Sequence, residues 1–298
     1  MVGNESYFLV IGVVFVSFTL ITFVFTSMTM ITIIINWKSE CRSITNLLAC
    51  NSSAALFFYA IGISIQLPFY FQFNQEHPNE VFCEISAFIY VFACAVKCFS
   101  YLVQAISRWF IIVHYRRRYL LRFRTIIFII VISWILALIA SSCLLISPKA
   151  YQYEPESRLC VLTSKVFLTS FIPIMTIFFI PASAIILLYA VILRHTVHAH
   201  RVHPKGLVNI AHKRNIQVYR NIHILIGIVL TSGTPYFLLV IINGIINVPW
   251  ILYSIAVVFI AMAAAMESLA IFFKNHQVRK LVYKKICCRR IPNIFAIT

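Results

Sequence analysis

Aspartate is missing from all 298 residues, and charged side chains of any kind make up only 11% against 61% hydrophobic ones. With a mean hydropathy of +0.92, that scarcity excludes a soluble globular domain. The chain has no internal repeat, no coiled-coil heptad and no low-complexity linker. It also lacks a metal-binding cluster, a glycine-rich phosphate loop and a nucleophile elbow, so an enzyme finds no support and no cofactor is implied. The histidines from His195 to His212 fall at irregular spacing in a basic stretch and read as solvated loop residues rather than metal ligands.

What the chain has in abundance is long apolar runs. Seven of them, at roughly 7–36, 44–72, 81–113, 125–147, 165–193, 221–246 and 250–273, reach the 20 or so residues a bilayer crossing needs. The first is too long for a removable signal peptide and lacks a basic leader and a small-residue cleavage site. The expectation is an all-α membrane protein forming one domain over 1–298.

Charge sets the expected orientation. Lys38 and Arg42 follow span one, Arg116, Arg117, Arg118, Arg122 and Arg124 follow span three, and Arg194, Arg201, Lys205, Lys213 and Arg214 follow span five. Seven more basic residues, from Lys274 to Arg290, follow span seven. The alternate loops carry Lys149, Arg158 and Lys165 against Glu76, Glu80, Glu154 and Glu156. The positive-inside rule then puts the N-terminus outside and the C-terminus in the cytoplasm. The net charge of +17 collects on one rim of a membrane bundle, which suits anionic inner-leaflet lipid at about 1 kcal/mol per nearby Lys or Arg, and not nucleic acid.

Within span three, Arg108 lies 25 residues after Cys83 and just ahead of the basic run at 115–118. A helix of that length is roughly 37 Å long, one slightly tilted crossing. Ser107-Arg108-Trp109 stands where an Asp-Arg-Tyr motif would, Thr45-Asn46-Leu47-Leu48 opens span two, and Trp134 sits in mid-span four. Pro181 is followed eight residues later by Tyr189, Ser232-Gly233-Thr234-Pro235 interrupts span six, and Asn275 begins a short basic segment. In order and spacing these residues resemble the rhodopsin-like G-protein-coupled receptors over roughly 44–286. The resemblance implies a seven-transmembrane-helix bundle with a short cytoplasmic amphipathic helix at about 275–286.

It also implies partners and roles. The protein would sit in the plasma membrane and pass a signal from an extracellular small-molecule or peptide ligand to a heterotrimeric G protein. Arg108 and Tyr189 would meet that partner, with Ser107, Trp109 and Pro235 as parts of the switch. Cys83 and Cys160 would form the family's disulfide, pinning the loop between spans four and five over the bundle. Tyr90, Val91, Cys94, Tyr236 and Val257 would face the ligand cavity, a largely apolar one. Tyr90 replaces the aspartate of amine receptors and Ala261 the retinal-binding lysine, so neither of those ligand classes is supported.

The departures concern the switch. By the resemblance, Leu56 stands in place of the sodium-site aspartate, Glu267-Ser268-Leu269-Ala270-Ile271 in place of Asn-Pro-x-x-Tyr, Asn215 in place of the acid of span six, and Ser27-Met28 in place of Gly-Asn. Two charges remain inside spans, Lys97 and Glu267. A charge at mid-bilayer costs about 2.5–3.5 kcal/mol, so each should face the interior and find a partner. The reading favoured is that they pair, the ammonium standing in for sodium; separate snorkelling or contact with water is the alternative. A small transporter or channel using both residues as an ion relay, and a non-signalling decoy receptor, stay open as functions.

Modification sites complete the reading. Asn4-Glu5-Ser6 is a glycosylation sequon on the expected outer side, whereas Asn51-Ser52-Ser53 is buried in span two. Cys287 and Cys288 follow a basic amphipathic stretch and are candidates for palmitoylation. Cys41, Cys50, Cys94, Cys98 and Cys143 have no metal-ligand spacing and read as packing residues or free thiols.

Overall fold

A computed structural model describes residues 2–38, 41–71, 79–114, 117–146, 150–154, 159–162, 167–202, 227, 233–246 and 248–289. The helices are α1 (Val2–Ile35), α2 (Ile44–Phe71), α3 (Glu80–Val113), α4 (Phe123–Ser142), α5 (Phe167–Ile174), α6 (Ile180–Val202), α8 (Trp250–Lys274) and α9 (His276–Arg289), with α7 (Gly233–Asn243) between α6 and α8. A π-helical turn, Met175–Phe179, joins α5 to α6, so that the two make one span. A hairpin of β1 (Tyr151–Glu154) and β2 (Leu159–Leu162) lies between α4 and α5.

Helices are what such a sequence must form. Without water to bind N–H and C=O groups, an apolar chain satisfies them within the segment. The same logic hides hydroxyls: Thr19, Thr22, Thr26 and Thr29 on α1 each donate to the carbonyl four residues earlier, at 2.7–2.8 Å. Asn79 starts α3, its Oδ1 accepting from the Val81 and Phe82 amides, and Glu80 in the first turn suits the helix dipole. At the π turn the Ile180 amide reaches back five residues to Met175 O, just ahead of Pro181, which has no N–H to give.

α3 is the central helix, packing against α2, α4, α6 and the hairpin, while α1 packs on α2 and α8. Among the described residues six helices are long and apolar enough to cross a membrane, within a few residues of the expected spans. Of the sixth expected span Gly227 and residues 233–246 are described, α7 among them; Ser232 and Asn215 lie outside the described residues. The fold is therefore an all-α membrane bundle with a short helix, α9, after the last span. An asparagine network seats α9. Asn275 Oδ1 caps it at the Val278 amide (3.1 Å), Asn275 Nδ2 donates to Asn46 Oδ1 (2.8 Å), and Asn46 Nδ2 donates to Gln277 Oε1 (2.6 Å).

The hairpin was not legible as a hairpin, because two four-residue strands carry too little alternation to stand out. Its order comes from outside. Cys160 in β2 is disulfide-bonded to Cys83 at the start of α3, with Cα atoms 5.3 Å apart. Gln66 of α2 grips the same residue twice: its Nε2 donates to Cys160 O at 2.8 Å, and the Cys160 amide donates to its Oε1 at 3.2 Å. Tyr151 donates to Ser141 O at the end of α4.

The disulfide closes a separation of 77 residues, which in the chain-entropy account restrains the unfolded chain by about 4–5 kcal/mol. Cys83→Ser and Cys160→Ser should each lower surface expression and melting temperature, with the double variant no worse than either single. Gln66→Leu should cost about 1–3 kcal/mol by stranding the buried Cys160 amide and carbonyl. Additive losses for the two cysteines would refute the pairing as a stabilising bond.

Candidate functional site

Lys97 on α3 and Glu267 on α8 meet in the middle of the bundle, Nζ to Oε2, at 3.4 Å, with side chains 5% and 0% exposed. It is the one salt bridge among the described residues. The neighbours of the pair are aromatic. Tyr101, one turn along α3, donates its hydroxyl to the same Glu267 Oε2 at 2.6 Å, and the Tyr59 ring of α2 lies 5.0 Å from the ammonium. Leu56 is fully buried in the cluster formed by Tyr59, Ala261 and Ala264. Beside it Gln104 donates to Ser52, and Trp134 donates to Asn51 at 3.0 Å.

Above this cluster, toward the hairpin, opens a cavity of about 140 Å³. Tyr90, Val91, Cys94, Tyr236 and Val257 all line it, so α3, α7 and α8 bring together the five residues expected there. Leu162 of β2 closes the hairpin side, and Lys97 with Cys98 forms the floor. The wall between α5 and α7 was not legible. A Cβ on Gly233 would lie 2.1 Å from the Phe178 ring, so the phenylalanine of the π turn occupies the space a side chain at 233 would need. The only sequence signal was the glycine itself.

Arg108 ends the same helix face. It and Tyr189 are near enough to interact electrostatically, and Tyr189 packs with Ile185 against Tyr101 and Ala105. Ser107 is buried, and its hydroxyl finds no protein partner. Trp109 turns its ring edge-on to His114, with centroids 4.5 Å apart. Pro235 is half-buried in α7. No acidic group pairs with Arg108 among the described residues.

The remaining candidates fall elsewhere. Asn4 lies in the first turns of α1 and Cys287 and Cys288 in the last turns of α9, and their side chains are outside those described. Cys41, Cys50, Cys94, Cys98 and Cys143 form no disulfide among the described residues. Among the described residues no group of histidine, cysteine or acidic side chains could hold a metal ion. Sequence reasoning missed Tyr101, Tyr59 and Gln66 as partners, since one tyrosine or glutamine in an apolar run looks like any other.

Compared with known proteins, the chain matches a family model described as 7 transmembrane receptor (rhodopsin family) over residues 27–270. No curated protein matches it.

The buried pair makes a direct prediction. Removing one partner strands a charge and typically costs about 3–5 kcal/mol, whereas replacing both by apolar groups can be neutral. Lys97→Met and Glu267→Leu should each express poorly, and the double variant should recover. A double variant as defective as the sum of the singles would show that the two do not interact.

Proposed function

The chain belongs to the rhodopsin family of seven-transmembrane receptors, and from that premise we propose that it couples an extracellular ligand to a heterotrimeric G protein. In this reading it is a plasma-membrane protein with its N-terminus outside. The ligand binds in the cavity between α3, α7 and α8, and the G protein docks at Arg108 and Tyr189 on the basic rim, which also faces anionic lipid. One observation carries the proposal, a path of neighbouring side chains from the cavity floor toward Arg108. Lys97 floors the cavity, Tyr101 shares Glu267 with it, Tyr101 packs in one cluster with Tyr189, and Tyr189 lies within electrostatic range of Arg108. A ligand that shifts the floor acts on the first member of that chain, and coupling between distant sites needs such a contiguous two-state element.

Lys97 takes the part of the sodium ion in this scheme. Its ammonium neutralises Glu267 where the family keeps a cation against an aspartate, and Leu56 fills the vacated acid position. Sodium should then leave ligand binding unchanged. Family membership gives no support to a transporter or channel. A decoy receptor differs from the proposal only in lacking the signalling step, which the following experiment measures.

Ser107 removes the acid that would hold Arg108 at rest, so basal signalling should be appreciable. In transfected cells Arg108→Ala should abolish second-messenger production at unchanged surface expression, and Ser107→Asp should lower the basal level. Robust signalling by Arg108→Ala would refute the proposal, and a silent wild type that no ligand activates would favour the decoy.

A further inference from the structure

The charge balance at the cavity floor selects the kind of ligand. Among the described residues Lys97 is the only charged one lining the cavity, and its ammonium is already neutralised by Glu267 at 3.4 Å. Yet among the described residues no acceptor meets it in hydrogen-bond geometry, so the salt bridge satisfies its charge without using its N–H directions. A carboxylate ligand would leave two anions on one ammonium, and an amine ligand would set two cations against one carboxylate; either buries an excess charge. An uncharged oxygen acceptor can take a charge-assisted hydrogen bond from Nζ and leave the balance intact. Most of the other wall residues, Val91, Ile177, Phe178 and Val257 among them, are apolar, with hydroxyls only on Tyr90 and Tyr236 among the described residues. The volume of about 140 Å³ is close to that of cavities that accept a benzene ring.

Building on the cavity as the ligand site, we infer that the receptor recognises an uncharged molecule with a compact apolar body and a carbonyl-type acceptor, which binds Lys97 Nζ. Lys97 is then a specificity-determining residue, and Glu267 is the residue that makes the site reject acids. The carbonyl is worth roughly 10- to 100-fold in affinity over the same body without it. Docking there also places the ligand on the group that holds α3 to α8.

The test uses four probes of one shape on the full chain in lipid nanodiscs: 4-phenyl-2-butanone, butylbenzene, 3-phenylpropionate and 3-phenylpropylamine. Thermal stabilisation and saturation-transfer NMR report binding. The ketone should bind best to the wild type, at least tenfold tighter than butylbenzene, with the acid and the amine weaker still. Glu267→Gln, which leaves the ammonium uncompensated, should shift the preference to 3-phenylpropionate. Should that variant fold poorly, Lys97→Met combined with Glu267→Leu should bind ketone and butylbenzene alike. A ketone no better than butylbenzene, a wild-type preference for acid or amine, no binding by any probe, or a ketone preference that survives the double variant would each overturn the inference. Val257→Trp separates this from the underlying reading. If it blocks the probes while the ketone shows no advantage, only the ligand class is wrong. If the probes bind it as they bind the wild type, the cavity is not where they dock, and both fall.

Discussion

An ammonium and a carboxylate brought together in a medium that cannot solvate either of them constrain everything around them. Lys97 and Glu267 cannot be left facing lipid, and neither can lose the other without stranding a charge. Their 3.4 Å contact therefore requires the face of α3 that carries Lys97 and the face of α8 that carries Glu267 to turn toward each other. Tyr101 and Tyr59 add a hydroxyl and a ring to the same group from α3 and α2. Leu56 is fully buried in the same cluster as Tyr59. The pair also decides the character of the cavity, whose floor is a neutralised cation with unused N–H directions.

The two ends of the bundle are fastened differently. Where the hairpin lies, a disulfide and a double amide clamp from Gln66 both act on Cys160, and Asn79 caps the adjoining helix. These are short, directional bonds between elements far apart in the chain, and they hold Leu162 over the cavity. At the Arg108 end the side chains that could restrain the arginine are a buried serine with no protein partner and a tyrosine. Elsewhere at that end the bonds of Asn46, Asn275 and Gln277 hold α9 rather than the arginine.

Between them, the contact of Phe178 with Gly233 shows how a missing side chain is used. The π turn Met175–Phe179 carries that ring into the space left at 233, so α5, α7 and the cavity wall share one aromatic group. Phe178 also packs in the cluster that holds Tyr101 and Tyr189, which links the wall of the cavity to the path running toward Arg108.

The sequence by itself determined the class of protein, the number and limits of most spans, and the two residues that had to find partners inside the membrane. Hydropathy is a property summed over a window of contiguous residues, and a charge in hydrocarbon is costly wherever it lies, so both are legible without knowing how the helices pack. Tertiary structure alone decided which hydroxyl completes the ion pair, which glutamine clamps the hairpin, and which ring fills the place beside Gly233. Tyr101, Gln66 and Phe178 carry no local mark of these roles, because each role depends on how one helix is turned and raised against another. Rotation and register are set by packing among all the helices together, and no stretch of one chain segment encodes them.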